Sequence, residues 1–252
     1  MTTPGTPRPD LRHAGETLDA FYHGRIRVIQ TKRGYRLSVD APLLADFIRT
    51  RPDDDALELG TGSGIISLLL SVKPFKRITA VEIQPGLAGL ARRNIEINGL
   101  GDRIEVIEAD LRTFEPGRAF DLIFSNPPSI RKATGFLSSS AERSAAKHEL
   151  HGAIGEILAK TASWLGPEGR ACFVYPEKRR EDFLAAAGES GLAVRRMRLV
   201  LPRADRPPNL FLIELGCRGR ADPETAELMA PLVLCGPDGN YTAAAEAVFA
   251  GP

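Results

Sequence analysis

The sequence predicts an α/β fold in which helices cover both faces of a mostly parallel sheet. Short apolar segments rich in Val and Ile alternate with longer segments of helical period, which is typical of parallel strands joined by crossover helices. A turn with glycines at positions 60, 62 and 64 joins the first of these strands to a helix. Polar side chains then follow three successive strands, as Glu82, Asp110 and Asn126.

The elements follow one another in a regular order. A leader comes first, with a short strand around Ile26 and Val28 and a helix from Ser38 to Ile48. Strands and helices then alternate. The strands are Leu57–Gly60, Arg77–Ile83, Arg103–Ile107, Phe120–Phe124 and Ala171–Tyr175, and the helices are Ile65–Val72, Gly86–Asn98, Ile154–Leu165 and Arg180–Gly188. The last two strands, Leu192–Leu201 and Leu210–Leu215, have no helix between them, so we expect seven strands with an antiparallel strand at one edge.

Composition indicates a globular protein with one domain. Apolar residues make up 43% and charged residues 26% of the 252 residues, and the net charge of +1 leaves only a local patch for binding a polyanion. No apolar run approaches the ~20 residues of a membrane helix, so we expect a cytoplasmic protein without membrane contact. We expect a disordered tail over 1–16 and a single domain over 17–252, divided into a leader or cap (17–50), the catalytic sheet (51–220) and a C-terminal extension (221–252).

Cysteine and histidine residues give no sign of a metal site. Cys172, Cys217 and Cys235 are odd in number and lack C-x-x-C spacing, which predicts inert buried thiols and a cytosolic setting. His148 and His151 flank Glu149 at helical spacing, but a metal ion needs a further ligand that the sequence does not supply. Oligomeric state leaves no mark in the sequence.

The glycine-rich turn has the character of a nucleotide-cofactor loop. Gly60 and Gly62 can turn the chain sharply and let backbone approach a ligand, and Gly64 lets the next helix lie close to the strand. The spacing G-x-G-x-G departs from the G-x-G-x-x-G of dinucleotide-binding proteins. With Glu58 in the acidic place, the segment resembles motif I of methyltransferases that use S-adenosylmethionine (SAM). A glycine-rich turn of another α/β fold is the alternative.

The resemblance implies a class I SAM-methyltransferase (Rossmann-like) sheet with SAM as the cofactor. Glu82 ends the second strand, where its carboxylate can accept from both ribose hydroxyl groups, as it also does in NAD proteins. Asp110 ends the third strand and is placed to accept from the adenine amino group, with a turn or helix-capping role as the alternative. The predicted cofactor-binding residues are therefore Glu58, Gly60, Thr61, Gly62, Gly64, Glu82, Ile83, Asp110, Leu111 and Asn126.

Asn126-Pro127-Pro128, which follows the fourth strand, resembles motif IV of amino-methyltransferases, (D/N)-P-P-(Y/F). An exocyclic amine is a poor nucleophile because its lone pair is delocalised. The Asn126 side-chain oxygen and the Pro127 carbonyl can accept its two hydrogens, which favours a pyramidal nitrogen in line with the methyl group. Catalysis is then mostly positioning, with the reactive group supplied by the cofactor. We predict all three residues to be catalytic.

The fourth position of this motif is Ser129 instead of an aromatic residue. In the family that ring stacks on the planar substrate, an interaction worth roughly 1–3 kcal/mol per base. Phe136 is a candidate replacement, because it lies in Ile130–Ser140, a segment whose composition predicts an active-site flap. Arg131 and Lys132 on the same segment are candidate substrate contacts.

Two terminal segments narrow the resemblance. Gly34–Ala45 and Leu232–Thr242 look like the leader and the closing segment of the bacterial tRNA1(Val) adenine-37 N6-methyltransferase family. This resemblance implies a cofactor role for Asp40 and a tRNA partner, with an anticodon-loop adenine unstacked into the pocket. The implied phosphate contacts are Arg25, Arg27, Lys32, Arg33, Arg131 and Lys132, with Arg195, Arg196 and Arg198 as weaker candidates.

Three other functions stay open at this point. An N-methyltransferase acting on an rRNA guanine or a protein glutamine shares the N-P-P motif. A non-catalytic SAM- or RNA-binding module shares the fold. A nicotinamide enzyme is disfavoured by the glycine spacing and by the lack of a proton donor beside the cleft.

Overall fold

The computed structural model describes residues 10–32, 39–127, 154–219 and 226–252. In these residues a nine-stranded sheet is flanked by helices, and a separate two-stranded hairpin precedes it. The strands are β1 (Glu16–Phe21), β2 (Ile26–Thr31), β3 (Asp55–Leu59), β4 (Arg77–Glu82), β5 (Ile104–Glu108), β6 (Phe120–Ser125), β7 (Leu165–Pro176), β8 (Leu192–Arg203), β9 (Leu210–Cys217), β10 (Glu227–Leu228) and β11 (Leu232–Cys235). The helices are α1 (Asp40–Phe47), α2 (Ile65–Leu70), α3 (Pro85–Ile97), α4 (154–164), α5 (Arg180–Glu189) and α6 (Ala243–Ala250), with a 3-10 turn at Glu177–Arg179.

Strand β3 lies at the centre of the sheet. It pairs in parallel with β4 on one side and with β6 on the other, and β5 and β7 extend the two sides in parallel. The chain therefore runs outward from β3 to β5, returns to β6, and continues in the opposite direction. This reversal leaves a crevice at the carboxyl ends of β3 and β6, where ligands bind in sheets of this kind. The predicted α/β fold is confirmed.

The antiparallel part of the sheet differs in one respect from the prediction. β8 and β9 form the predicted antiparallel pair, but β9 also pairs with β7 and so lies inside the sheet. The prediction of an antiparallel strand at the edge is therefore wrong. Beyond β8, the short strands β10 and β11 pair with it in parallel, which gives nine strands in the described residues instead of seven. With two and four residues, β10 and β11 are too short to show a strand pattern in the sequence.

Strand β7 begins six residues earlier than predicted, at Leu165 and not at Ala171. Its register with β6 shifts between the pair Phe120–Leu165 and the pair Leu122–Arg170. The sequence Gly166-Pro167-Glu168-Gly169 indicates a break between helix and strand, and the structure accommodates it as an irregularity within β7.

The core has two layers, one on each face of the sheet. Leu122 and Phe124 of β6 belong to a buried cluster that includes residues of α1 and α2. Ile123, between them, belongs to a second cluster that includes Leu158 of α4 and Phe183 of α5. A strand that is apolar on both faces is typical of a parallel sheet covered by helices on both sides, as predicted.

The leader folds as a hairpin of β1 and β2, where the sequence predicted a single strand. Asn94 of α3 and Asn98, which caps the C-terminus of α3, hold it. The Ile29 amide donates to Asn94 Oδ1 at 2.6 Å and the Arg27 amide donates to Asn98 Oδ1 at 3.0 Å, while both asparagine amides donate back to β2 carbonyl groups. Asn94 also donates to the Ser63 carbonyl at 3.0 Å. Because residues i and i+4 share one helix face, α3 connects the hairpin to the glycine-rich turn.

Part of the predicted tail belongs to the folded domain. The Arg93 guanidinium of α3 donates to the Leu11 carbonyl at 2.8 Å and to both oxygens of the Glu16 carboxylate at 2.7 Å. These hydrogen bonds lower the pKa of Glu16 to about 2. Residues 10–16 therefore contact the domain, contrary to the predicted tail boundary, and residues 1–9 lie outside the described residues.

Candidate active site

The glycine-rich turn leaves β3 with all three glycines in the left-handed region, at φ values of 69°, 58° and 82° for Gly60, Gly62 and Gly64. This conformation is natural for glycine and strained for other residues. A Cβ on Gly60 would meet no atom within 4 Å, so the space beside it is open to a ligand. A Cβ on Gly64 would lie 3.3 Å from Ala91 Cβ. Gly64 therefore lets the start of α2 lie close to α3. The prediction was that it lets this helix lie close to the strand.

The amide groups of this turn are largely engaged within the chain. The Gly60 and Thr61 amides both donate to the Val81 carbonyl at 2.9 Å, and the Gly62 amide donates to the Glu82 carboxylate at 2.9 Å. A loop that binds a pyrophosphate needs free amide donors. The engaged amides thus agree with the glycine spacing in favouring a cofactor without a phosphate, such as SAM.

Glu82 offers hydrogen-bond acceptors that suit a ribose, and Ile83 offers an apolar surface that suits an adenine ring. Glu82 ends β4 as a buried carboxylate, and it accepts one hydrogen bond from Gly62 and one from the Gln84 amide at 2.9 Å. A carboxylate has about four acceptor positions, so about two remain for hydroxyl groups. The next residue, Ile83, is a large apolar side chain with 53% of its surface exposed. Open space at Gly60, spare acceptors at Glu82 and an apolar surface at Ile83 together fit SAM.

Glu58 is fully buried beneath the turn. One of its carboxylate oxygens accepts from the Thr61 hydroxyl at 2.7 Å and from the Ser67 hydroxyl of α2. The other oxygen has no partner in the described part of the chain. Burial raises the pKa of Glu58 to about 7, although the two hydroxyl groups lower it. In this structure Glu58 and Thr61 fasten the turn to α2, and Ser67, a hydroxyl in an otherwise apolar helix, is a functional residue that sequence reasoning missed.

Asp110 and Leu111 follow β5. The Asp110 carboxylate accepts from the Arg112 amide at 2.9 Å and from the Arg112 guanidinium, and these hydrogen bonds lower the pKa of Asp110. Asp110 thus has the turn role that was the alternative to an adenine contact. An adenine contact of Asp110 stays a prediction. Leu111 lines a cleft of about 560 Å³ together with Leu59 and Trp164.

Asn126 and Pro127 follow the carboxyl end of β6, with Asn126 half-buried and Pro127 buried. In the register of β3 and β6, Glu58 pairs with Phe124, so Gly60 and Asn126 each come two residues after this pair on strands about 4.8 Å apart. The Ser125 hydroxyl donates to the Leu59 carbonyl at 2.7 Å and ties the two strand ends together. Sequence reasoning missed Ser125, because a serine at a strand end has no distinctive spacing. The fold thus brings the predicted methyl acceptor site beside the glycine-rich turn.

Asp40 lies within the described residues, whereas several other predicted site residues lie outside them. Asp40 begins α1, which packs against α2. The roles of the remaining residues stay predictions, because they lie outside the described residues: Arg33, Pro128, Ser129, Arg131, Lys132, Phe136 and the whole of Ile130–Ser140.

Five arginines that were candidates for phosphate contact touch other groups of the protein: Arg25, Arg27, Arg195, Arg196 and Arg198. Arg25, Arg27 and Arg198 donate to backbone carbonyl groups of distant residues. Arg196 is buried and forms an ion pair with Glu214 at 2.7 Å. The Arg195 side chain lies against Gly216. Burial and the ion pair oppose a phosphate role for Arg196, whereas that role stays a prediction for the other four arginines and for the exposed Lys32. A sequence shows the charge of a guanidinium but not the carbonyl groups within its reach.

Thiols and metal ligands add little to the site. All three cysteines are free; Cys172 is buried, as predicted, whereas Cys217 and Cys235 are half-buried. Within the described ranges, no three His, Cys, Asp or Glu side chains are grouped closely enough to hold a metal ion. In the same ranges, no helix has the length and apolar character needed to cross a membrane.

The chain resembles known methyltransferases in sequence and in fold. A family model described as a methyltransferase domain matches residues 56–137. A predicted O-methyltransferase from Agrobacterium tumefaciens superposes with a TM-score of 0.62 at 21% identity, covering 83% of this chain and 94% of that one. The M. jannaschii tRNA m1G37 methyltransferase superposes with a TM-score of 0.59 at 16% identity, covering 82% and 58%. These likenesses show a class I SAM-methyltransferase fold.

Curated relatives are closer in sequence. A tRNA1(Val) (adenine(37)-N6)-methyltransferase from Cronobacter sakazakii is 30% identical over 249 residues, which cover 97% of this chain and 95% of the relative. One from Parabacteroides distasonis is 29% identical over 210 residues, covering 82% and 88%. The likeness therefore extends beyond the catalytic sheet to the leader and the C-terminal extension. On these grounds the chain belongs to the tRNA1(Val) (adenine(37)-N6)-methyltransferase family.

Proposed function

We propose that this protein transfers the methyl group of SAM to the exocyclic N6 of an adenine in a tRNA anticodon loop, and that it acts in the cytoplasm. The observation that carries the proposal is the register of β3 and β6, in which Gly60 and Asn126 each follow the pair Glu58–Phe124 by two residues at the sheet reversal. An amine-holding residue thus stands beside a turn suited to SAM. The names of the curated relatives support tRNA as the substrate.

In this proposal, two groups of residues would hold the cofactor. Glu82 would accept from the ribose hydroxyl groups with the acceptor positions that Gly62 and Gln84 leave open. Ile83 and Leu111 would contact the adenine ring. Gly60 would let the methionine end approach the backbone, and Glu58, through Thr61 and Ser67, would keep the turn in shape. When bound, SAM supplies an electrophilic methyl group.

Asn126 and Pro127 would hold the acceptor nitrogen. The Asn126 side-chain oxygen and the Pro127 carbonyl would each accept one amino hydrogen of the adenine, which localises the nitrogen lone pair and directs it toward the cofactor. Ser125 fixes the height of this pair relative to the glycine-rich turn through its hydrogen bond to Leu59. The amine can lose its proton after transfer, so no general base is needed beforehand. The rate gain then comes from positioning.

The test is methyl transfer from radiolabelled SAM to total tRNA, total rRNA and a protein extract, followed by nucleoside and amino-acid analysis. We expect label in N6-methyladenosine from tRNA. Asn126→Ala should abolish the transfer, whereas Asn126→Asp, which keeps an acceptor oxygen, should retain part of it. Label in rRNA guanosine or in protein glutamine would support methyl transfer to an amino or amide nitrogen but would contradict tRNA adenine as the substrate. SAM binding without any transfer would overturn the proposed activity.

A further inference from the structure

The carboxyl edge of the sheet is divided between two sets of loops. Apart from Asp40 and Asn126, the predicted cofactor residues lie at the carboxyl ends of β3, β4 and β5 or just after them, on one side of the reversal. Asn126 follows β6, on the other side. The ends of β6 and β7 and the loop between β8 and β9 lie on the same side of the reversal as Asn126.

These last two loops lie next to each other. Pro176 at the end of β7 pairs with Leu210 at the start of β9, and the Glu177 amide donates to the Asn209 carbonyl at 3.0 Å. Ser125 pairs with Phe173, so Pro176 lies about 10 Å farther out along the strand direction. The two loops thus form a raised border on the side of the crevice where Asn126 lies.

The border carries cations that form no ion pair with any described residue. Arg180 is paired with Glu177 at 3.0 Å and Arg203 with Asp205 at 3.2 Å. Across the described ranges, no ion pair is formed by the three remaining cations, Lys178, Arg179 and Arg206, which we call the basic rim. Lys178 and Arg206 are exposed and Arg179 is half-buried. Carboxylates of the neighbouring α5, Glu181 and Asp182, occupy its first turn, where the helix dipole favours them.

We infer that the basic rim holds backbone phosphates of the RNA strand that carries the target adenine. The inference rests on the proposed function and names the surface that serves it. Two properties of the rim cations support this inference: where they lie and which groups already bind them. Arg27, Arg196 and Arg198 donate hydrogen bonds to backbone carbonyl groups of the protein, whereas the rim cations form no ion pair in the described part of the chain and lie on the same side of the reversal as Asn126. Cations held near each other match a single strand, whose phosphates repeat at short intervals.

The test compares the wild-type protein with Lys178→Ala/Arg179→Ala/Arg206→Ala. We expect the Kd and the KM for tRNA to rise by on the order of tenfold at moderate salt, with kcat and the Kd for SAM within about twofold of wild type. The slope of log Kd against log salt should become shallower by about one for each phosphate contact removed. Fluorescence anisotropy with labelled tRNA measures binding without any methyl transfer.

A matched control is available at the opposite edge of the sheet. Arg51 and Lys76 precede β3 and β4, and Arg218 follows the antiparallel β9, so all three lie at the amino ends of the parallel strands. They are exposed and, like the rim, form no ion pair in the described part of the chain. The triple alanine variant of these residues changes the net charge equally and should leave tRNA affinity unchanged. Lys178→Gln/Arg206→Gln, which spares the half-buried Arg179, serves if the triple rim variant loses its thermal transition.

The outcomes separate the two proposals. If the wild type methylates tRNA but the rim variant keeps its Kd and salt slope, or if the control variant loses affinity equally, the rim inference is overturned and the proposed function stands. If tRNA binds through the rim but no N6-methyladenosine forms, the rim inference stands and the proposed function fails. If the wild type binds no tRNA, or the rim variant loses affinity only for anionic vesicles, the rim inference is overturned.

Discussion

The two halves of the carboxyl edge are built by different means. In the half formed by β3, β4 and β5, backbone amides and carbonyl groups bond to each other and to buried carboxylates, so the shape of the crevice is fixed by the main chain. In the half formed by β6, β7 and β9, the groups proposed to meet a ligand are mostly side chains, namely Asn126 and the basic rim, together with the Pro127 carbonyl. A small cofactor of constant shape suits the first construction, and a long anionic strand suits the second. We call the first the cofactor half and the second the substrate half. We expect changes in the cofactor half to alter SAM affinity and changes in the substrate half to alter turnover or tRNA affinity.

The largest effect should come from Asn126→Ala. Removing one fixed hydrogen-bonding group at the reacting centre lowers kcat by on the order of 10²–10³-fold in other enzymes, and we expect a similar loss here. The Kd for SAM, measured by calorimetry, should stay within about twofold if Asn126 serves the substrate and its predicted cofactor contact contributes little. A large loss of SAM affinity in this variant would break the division between the halves.

Glu58 should make stability depend on pH. Its pKa of about 7 lies above the ordinary value of 4.5, so the native state keeps a proton that the unfolded chain releases. The free energy of unfolding should therefore be highest near pH 4.5 or below and should fall as the pH rises to about 7, by up to about 3 kcal/mol. Urea unfolding between pH 5 and 8 measures this fall. Glu58→Gln, which cannot ionise, should flatten the profile, and an unchanged profile would show that Glu58 is not the group responsible.

Glu82→Gln tests whether the cofactor half affects SAM affinity alone. The amide keeps one acceptor oxygen but loses the negative charge and one of the two acceptors used by the Gly62 and Gln84 amides. Hydrogen bonds to charged groups contribute about 1.5–3 kcal/mol, so SAM affinity should fall by about 10- to 100-fold. The tRNA Kd should not change. An equal fall in tRNA affinity would indicate that the two halves are coupled.

The smallest effect should distinguish two glycines of the same turn. Gly60→Ala and Gly64→Ala both force alanine into the left-handed region, at about 1–2 kcal/mol each. Only at Gly64 does the new Cβ also press on Ala91, at 3.3 Å. We expect Gly64→Ala to have the lower Tm and Gly60→Ala to have the lower SAM affinity, because its Cβ occupies the open space of the crevice. The reverse order would show that Gly60 does not face the ligand.

The cofactor half could be predicted from the sequence because its determinants are local. Glycine spacing and a carboxylate at a strand end are fixed by the path of the main chain, which a parallel sheet repeats. The polar links Ser67, Asn94 and Ser125 were missed, since each becomes functional only through a partner that folding brings near. The burial of Arg196 could not be predicted for the same reason. Arg196 meets Glu214 only because β8 and β9 pair, and no charge count reveals that.

The side chain of Asn94 joins three parts of the protein at one buried point: β2, α3 and the carbonyl of Ser63 in the glycine-rich turn. The Ile29 amide, which donates to it, lies in the hairpin and outside the crevice. Its hydrogen can exchange with solvent only when this junction opens, so its exchange rate reports on the turn from a distance. A ligand that steadies the turn should slow exchange at Ile29 without touching the hairpin. The leader would then serve as a remote indicator of cofactor occupancy.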